Sequence, residues 1–255
     1  MEDNVVAHQK SNCARGVCYC LLALFTVCAS PKPDAFATDI MFMMTEEYPP
    51  FNFTGENGEV GGISTKILTS AAEKTNLSLR FELLPWMRSY TRAINTPNTC
   101  VYSTWRTEER EQLFKWIGPL ANDAWSLFGT ANSELVIEKI EDSFEHRIGA
   151  VRGWGFTDYL EKIEHPMLDL VTVDELNARK LNIGRIDLWA TGRFSGRYLA
   201  KKLNLDEIRE IFVVREIPVY VACNLNTSIE LMTALQRGID LIEQEGLADH
   251  IRSNQ

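Results

Sequence analysis

Catalysis has few candidates in this 255-residue chain. His8, His146, His165 and His250 lack the spacing of a metal site, and neither a nucleophile elbow nor a P-loop is present. No catalytic residue, metal ligand or cofactor is assigned. Binding chemistry is better represented. Arg110 closes the run Thr107-Glu108-Glu109-Arg110, and a guanidinium presents a planar fork that fits a carboxylate bidentately. The same run also reads as a helix start with an acidic first turn, in which Arg110 pairs with Glu109 or Glu111 at the surface. The turn Gly153-Trp154-Gly155 precedes a helical stretch. Backbone donors of residues 153–156 would then lie at a helix N-terminus and seat an anion, or the glycines merely shape the turn.

The elements that must position these groups alternate between strand and helix. Short apolar or alternating runs at 39–45, 77–84, 100–105, 125–130, 147–151, 170–173, 186–190, 211–214 and 219–223 predict strands. Helices are predicted over 63–74, 87–95, 136–144, 157–163, 174–181, 196–202 and 228–245. Ile63, Ile67, Leu68 and Ala71 share one face of the first, and Leu231, Leu235, Ile239 and Ile242 one face of the last. Pro49-Pro50 marks a loop, and Asn57-Gly58 a hairpin turn. The alternation predicts an α/β fold with mainly parallel strands, and its restart near Asp123 predicts two sheets.

The first 37 residues have the organisation of a cleaved secretory signal. Lys10 and Arg15 precede the apolar run 17–29, which leads to Ala35-Phe36-Ala37. That run is shorter than the roughly 20 residues that span a bilayer. Cleavage is expected after Ala37, ahead of a retained anchor or a lipoprotein at Cys28. It would remove four cysteines and leave Cys100 and Cys223, either bridged or as two thiols. The net charge of −9 is unchanged by the cleavage. An acidic chain without a basic run argues against nucleic acid as partner.

From Tyr48-Pro-Pro-Phe51 onward the chain resembles the family 3 extracellular solute-binding proteins, the periplasmic receptors of polar amino acid transporters. The resemblance rests on an ordered set: that loop, the asparagine-glycine hairpin, Pro85-Trp86, Thr107-Glu-Glu-Arg110, Phe114-Lys-Trp-Ile-Gly-Pro119, Val151-Arg-Gly-Trp-Gly155 and Gly184-Arg-Ile-Asp187. It implies a two-lobed periplasmic-binding-protein-like fold with two crossover strands and a ligand cleft. Residues 38–124 plus 225–255 would form lobe one and 125–224 lobe two, with hinge strands near 125–129 and 219–223. It also implies that Arg110 grips a ligand carboxylate, and that Tyr48 and Trp86 are aromatic walls beside Ser103 and Trp105. Arg152, Gly153 and Arg193 would be the contacts from lobe two. The family's aspartate for a ligand ammonium falls near Thr191-Gly192, where no acid stands. A carboxylate or other anionic solute is therefore expected over an ordinary α-amino acid.

The expected function is periplasmic capture of a small anionic or amino-acid-like solute, by a monomer serving an ABC-type permease. A sensory binding protein that reports to a membrane partner is the alternative. A third reading, a dehydratase-like enzyme on the same fold, would need a carboxylic acid proton donor such as Glu46 or Glu47.

Overall fold

Hydrophobic periodicity and turn chemistry become two adjoining α/β lobes in the computed structural model, which describes residues 40–132 and 134–253. The signal-like segment, with its cleavage site and Cys28, lies outside the described residues. In chain order come β1 (Ile40–Thr45), the hairpin β2 (Phe53–Thr54) and β3 (Val60–Gly61), α1 (Ile63–Thr75), β4 (Ser78–Leu83), α2 (Trp86–Asn95) and β5 (Thr99–Trp105). Then follow α3 (Glu108–Glu111), β6 (Lys115–Ala121), β7 (Ala124–Thr130), β8 (Ile148–Val151), α4 (Gly155–Lys162), β9 (Leu168–Val171) and α5 (Glu175–Asn182). β10 (Leu188–Gly192), α6 (Arg193–Lys202), β11 (Ile208–Glu216), β12 (Val219–Cys223), α7 (Ile229–Gln244) and α8 (Leu247–Ser253) complete the chain. Among the described residues no helix is long and apolar enough to cross a membrane.

The first sheet has the order β4-β1-β5-β12-β6 and the second β11-β7-β10-β8-β9. In each, three strands run parallel: β4, β1 and β5 in the first, β9, β8 and β10 in the second. The remaining strands pair antiparallel. That mixture departs from a mainly parallel sheet, and the connections explain it. The chain hops between sheets through residues 122–123 and returns through 217–218, without a helix to restore its direction. The two connections lie side by side, joined by the Ile217 N–H donating to the Asp123 carbonyl at 2.9 Å. β7 belongs to the second sheet and β12 to the first.

Apolar stripes dock where their spacing directs them. On α1, Ile63, Ile67, Leu68 and Ala71 are buried, and on α7 so are Leu231, Leu235, Ile239 and Ile242. Ser228 caps α7 by accepting from the Leu231 N–H. The two helices meet at Gly238, where a Cβ would stand 2.1 Å from the Ala71 carbonyl oxygen. Gly238→Ala is therefore expected to destabilise the protein by about 1–3 kcal/mol through overpacking, against alanine's helix preference of about 1 kcal/mol. Urea denaturation measures this, and an unchanged or higher midpoint would refute the close approach.

Two local expectations are corrected. Instead of a helix over 136–144 there is only a 3-10 turn, Ile140–Ser143. Asp142 accepts from the backbone N–H groups of Glu138 and Lys139 at 3.0 and 3.1 Å, holding the preceding chain out of a helix. β6 was not foreseen because Gly118-Pro119 interrupts it. The sheet tolerates that proline because β6 is an edge strand. The open question of the two cysteines is resolved as well. Cys100 on β5 and Cys223 on β12 stand opposite each other and form a disulfide.

Candidate functional site

The site forms where the parallel strands end, as open α/β sheets favour. Glu46 and Tyr48 lie just beyond β1, Ser103 and Trp105 near the end of β5, Trp86 at the start of α2 and Arg110 on α3. From the other lobe, the turn after β8 brings Gly153, Trp154 and Gly155. The cavity between them is lined by Glu46, Tyr48, Trp86, Ser103, Trp105 and Arg110 on one side. Trp154 and Gly155 line the other. Its volume is ≈ 10 Å³, about the space one water molecule needs. The lobes thus stand closed, with their own side chains filling most of the cleft.

Arg110 is only 4% exposed. Its Nη2 donates to the Gly153 carbonyl at 2.9 Å and to Asp158 Oδ2 at 3.0 Å, so both its partners come from lobe two. The guanidinium carbon lies 5.2 Å from the Trp86 ring centroid and 5.3 Å from that of Tyr90. Trp86 Nε1 donates to the same Gly153 carbonyl at 2.6 Å. Gly153 thus meets lobe one with an acceptor, although the sequence suggested backbone donors. It also needs to be glycine: its φ is +73°, and a Cβ would stand 2.5 Å from Met87 Sδ.

Five predicted residues, Tyr48, Trp86, Ser103, Trp105 and Arg110, therefore converge on one cavity, and Gly153 touches two of them. The other two lie elsewhere. Arg152 is exposed. Arg193 is turned toward β11, where it pairs with Glu210 at 3.0 Å and Glu216 at 2.8 Å.

Sequence reasoning missed two acids, Asp123 and Asp158. Gly192 leaves room that an aspartate would have taken: a Cβ there would lie 1.9 Å from Tyr48 Oη and 2.5 Å from Asp123 Oδ2. The carboxylate absent at Gly192 is supplied to the same place by Asp123, from the lobe connection. Tyr48 Oη donates to Asp123 Oδ2 at 2.5 Å. Burial pushes the Asp123 carboxyl up to about 6, against the lowering pull of hydrogen bonds from Tyr48 and the Ala124 N–H. Asp158 is the second missed acid, and burial raises its carboxyl against the pull of Arg110. Glu46, which the sequence offered only as a candidate proton donor, accepts from Trp154 Nε1 at 3.0 Å. The only sequence signal for Asp123 was the restart of the strand–helix pattern beside it.

Withdrawal from water pushes Glu46 up to about 8. The Trp154 hydrogen bond and Arg110 oppose that rise, while Asp174 and Glu47 reinforce it. An acid whose folded pKa is raised contributes stability that is present below its unfolded value near 4.5. That contribution is lost as pH climbs through 8. Asp123 and Asp174, both raised to about 6, act with the same sign over a lower window. Glu46→Gln is expected to flatten the upper part of the loss and raise Tm at pH 8.5 by about 2–4 °C, the shift that ~1 kcal/mol gives in a domain of this size. Melting curves at pH 6 and 8.5 provide the check, and an equal pH-dependent drop in both proteins would contradict it.

Tyr48, Trp105 and Trp154 meet edge to face with centroids 5.1–5.8 Å apart. Ser103 holds a left-handed φ of 55°, a conformation uncommon outside glycine. Its Oγ and Trp105 Nε1 are buried without a hydrogen-bond partner among the described residues. No metal-binding group of His, Cys, Asp and Glu occurs among those residues.

A sequence profile of the bacterial extracellular solute-binding proteins, family 3, matches residues 40–254. The chain belongs to this family. Solved structures agree on the fold of this family 3 protein. A histidine kinase sensor domain with similarity to periplasmic binding proteins superposes with a TM-score of 0.78 at 17% identity, covering 84% of this chain and 94% of that one. An ancestral arginine-binding protein bound to arginine gives 0.73 at 18%, covering 84% and 96%. The substrate-binding protein of an amino acid ABC transporter gives 0.71 at 17%, covering 84% and 97%. At such identities the likeness establishes the two-lobed fold. No curated protein sequence matches the family 3 chain significantly.

Proposed function

We propose that this protein is an exported, periplasmic binding protein that captures a small amino-acid-like or anionic solute between its lobes and delivers it to an ABC-type permease. The observation that carries the reading is Arg110, a buried guanidinium at the lobe junction, flanked by aromatic rings and tied to lobe two. A solute carboxylate would take the fork of Arg110, with Ser103 Oγ and Trp105 Nε1 as further donors and Tyr48 and Trp86 as walls. The lobes would part and close about residues 122–123 and 217–218, admitting the solute and then excluding water. The arrangement does not support Arg152 or Arg193 as ligand contacts.

Sensing is a second reading, favoured by the fold likeness to a kinase sensor domain. A thermal-shift screen of amino acids, organic acids and small zwitterions tests the shared claim. At 100 times its dissociation constant a ligand adds about 2.7 kcal/mol of stability. A folded protein that no such solute stabilises would contradict capture. Given a hit, loss of its uptake in cells lacking the protein supports delivery to a permease. Unchanged uptake with an altered cellular response supports sensing.

A further inference from the structure

The charge balance and ring geometry of the cavity say more about the solute than its likeness to known proteins does. Arg110 is already offset by Asp158 at 3.0 Å. Beside the neutral Tyr48 phenol, the other ionisable group lining the cavity is Glu46, an acid. Around it stand Tyr48, Trp105 and Trp154, whose planes are mutually near-perpendicular. Tyr48 and Trp105 meet at 86°, Tyr48 and Trp154 at 81°, and Trp105 and Trp154 at 87°.

Two parallel rings would suit a flat guanidinium. Three orthogonal rings form the corner of a box, the shape that surrounds a compact, round cation with π faces. Hydrogen-bonding capacity points the same way. A primary ammonium has three donors to satisfy, whereas Glu46 is the only carboxylate lining the cavity. An alkylated ammonium needs nearby negative charge and aromatic faces but few acceptors. Ser103 Oγ, Trp105 Nε1 and Arg110, which line the same cavity, are donors suited to a carboxylate.

We propose that the cleft selects a small onium carboxylate, a solute with a fully alkylated ammonium at one end and a carboxylate at the other, and that Glu46 with the Tyr48–Trp105–Trp154 box is its cation seat. This rests on the solute-capture reading above and names the solute class. Two walls and Glu46 belong to lobe one, while Trp154 belongs to lobe two. Parting the lobes therefore opens the box on one side, and closure completes it around the guest. Trp154 also holds the Glu46 carboxyl through its indole N–H, so the same closure aims the charge. Because burial holds Glu46 protonated at neutral pH, capture of a cation ionises it and releases a proton.

Isothermal titration of the whole protein at pH 7 with glycine betaine, glycine, arginine and tetramethylammonium tests the proposal. Glycine betaine is expected to bind at least tenfold more tightly than glycine or arginine. Its heat should vary with the ionisation enthalpy of the buffer, reporting the released proton. Glu46→Gln should weaken it at least tenfold and abolish that variation. Trp154→Phe keeps a wall and should weaken it less than Trp154→Leu. Equal or tighter binding of glycine or arginine, or unchanged affinity in Glu46→Gln, would overturn the onium assignment. If another carboxylate binds through Arg110 while no onium compound does, this inference falls and the solute-capture reading stands. If no small solute binds the folded protein, both fall.

Discussion

Reducing the Cys100–Cys223 bond, or replacing both cysteines by serine, is expected to lower unfolding free energy by about 2–5 kcal/mol. The two residues are 123 positions apart, and the loop between them contains the whole second sheet. Cross-linking so long a loop removes much conformational freedom from the unfolded chain. In the folded protein the bond joins β12 to β5, so it secures the returning chain to the first lobe's sheet. Both cysteines are fully buried. Urea denaturation with and without reductant measures the effect, using the serine pair as a control for incomplete reduction. Identical midpoints in all conditions would mean that the thiols are unpaired in solution. The bond also fits export, because disulfides persist in oxidising compartments.

Arg110→Ala is expected to weaken a carboxylate solute about 100-fold, the cost of losing charge-assisted hydrogen bonds worth about 1.5–3 kcal/mol each. The guanidinium lies against both the Trp86 and Tyr90 rings, so little freedom is lost when a ligand engages it. The substitution also leaves Asp158 without its cation, and the carboxyl of Asp158 should rise further. The folded protein would then favour protonated Asp158, with stability falling as pH rises through the new value. Arg110→Lys separates charge from shape. It retains a cation but lacks the planar fork, so affinity should fall by about tenfold and the effect on Asp158 should be small. Titration calorimetry of the three proteins gives the comparison. Wild-type affinity in Arg110→Ala would remove Arg110 from the site.

Local pattern was the most legible part of this chain. The faces of α1 and α7 were readable because residues four apart must share one side of a helix. Ser228 and Gly246 mark the ends of α7 in the same way. Crossover positions were less legible. Residues 122–123 and 217–218 carry no special composition, and the flanking strands β7 and β12 look like any other short apolar run. β6 was hidden by Gly118-Pro119, since only sheet order reveals an edge. The segment 136–144 has helical spacing, but Asp142 diverts its backbone donors.

Of the quoted motif residues, Tyr48, Trp86 and Arg110 line the cavity and Arg152 does not, while Asp123 and Asp158 reach the lobe junction only through tertiary folding. Asp123 stands 69 positions before Gly192 in sequence yet reaches the same point in space. Glu46 was visible as a carboxyl beside Tyr48, but its withdrawal from water depends on Trp154, more than a hundred residues away. Asp158 sits in the first turn of α4, and its pairing with Arg110 exists only across the two lobes. The acids at the lobe junction thus come from three separate elements other than β10, and of them Glu46 alone lines the cavity.

Three of the six tryptophans, Trp86, Trp105 and Trp154, line the cavity, so a solute entering it must change their surroundings. Tryptophan emission of the folded protein should shift saturably, as a single-site isotherm, on titration with a solute that the thermal-shift screen selects. The same titration of Arg110→Ala should need about 100 times more solute. Emission that no amino acid, organic acid or small zwitterion alters at millimolar concentration, in a protein whose circular dichroism is that of a folded α/β chain, would contradict capture between the lobes.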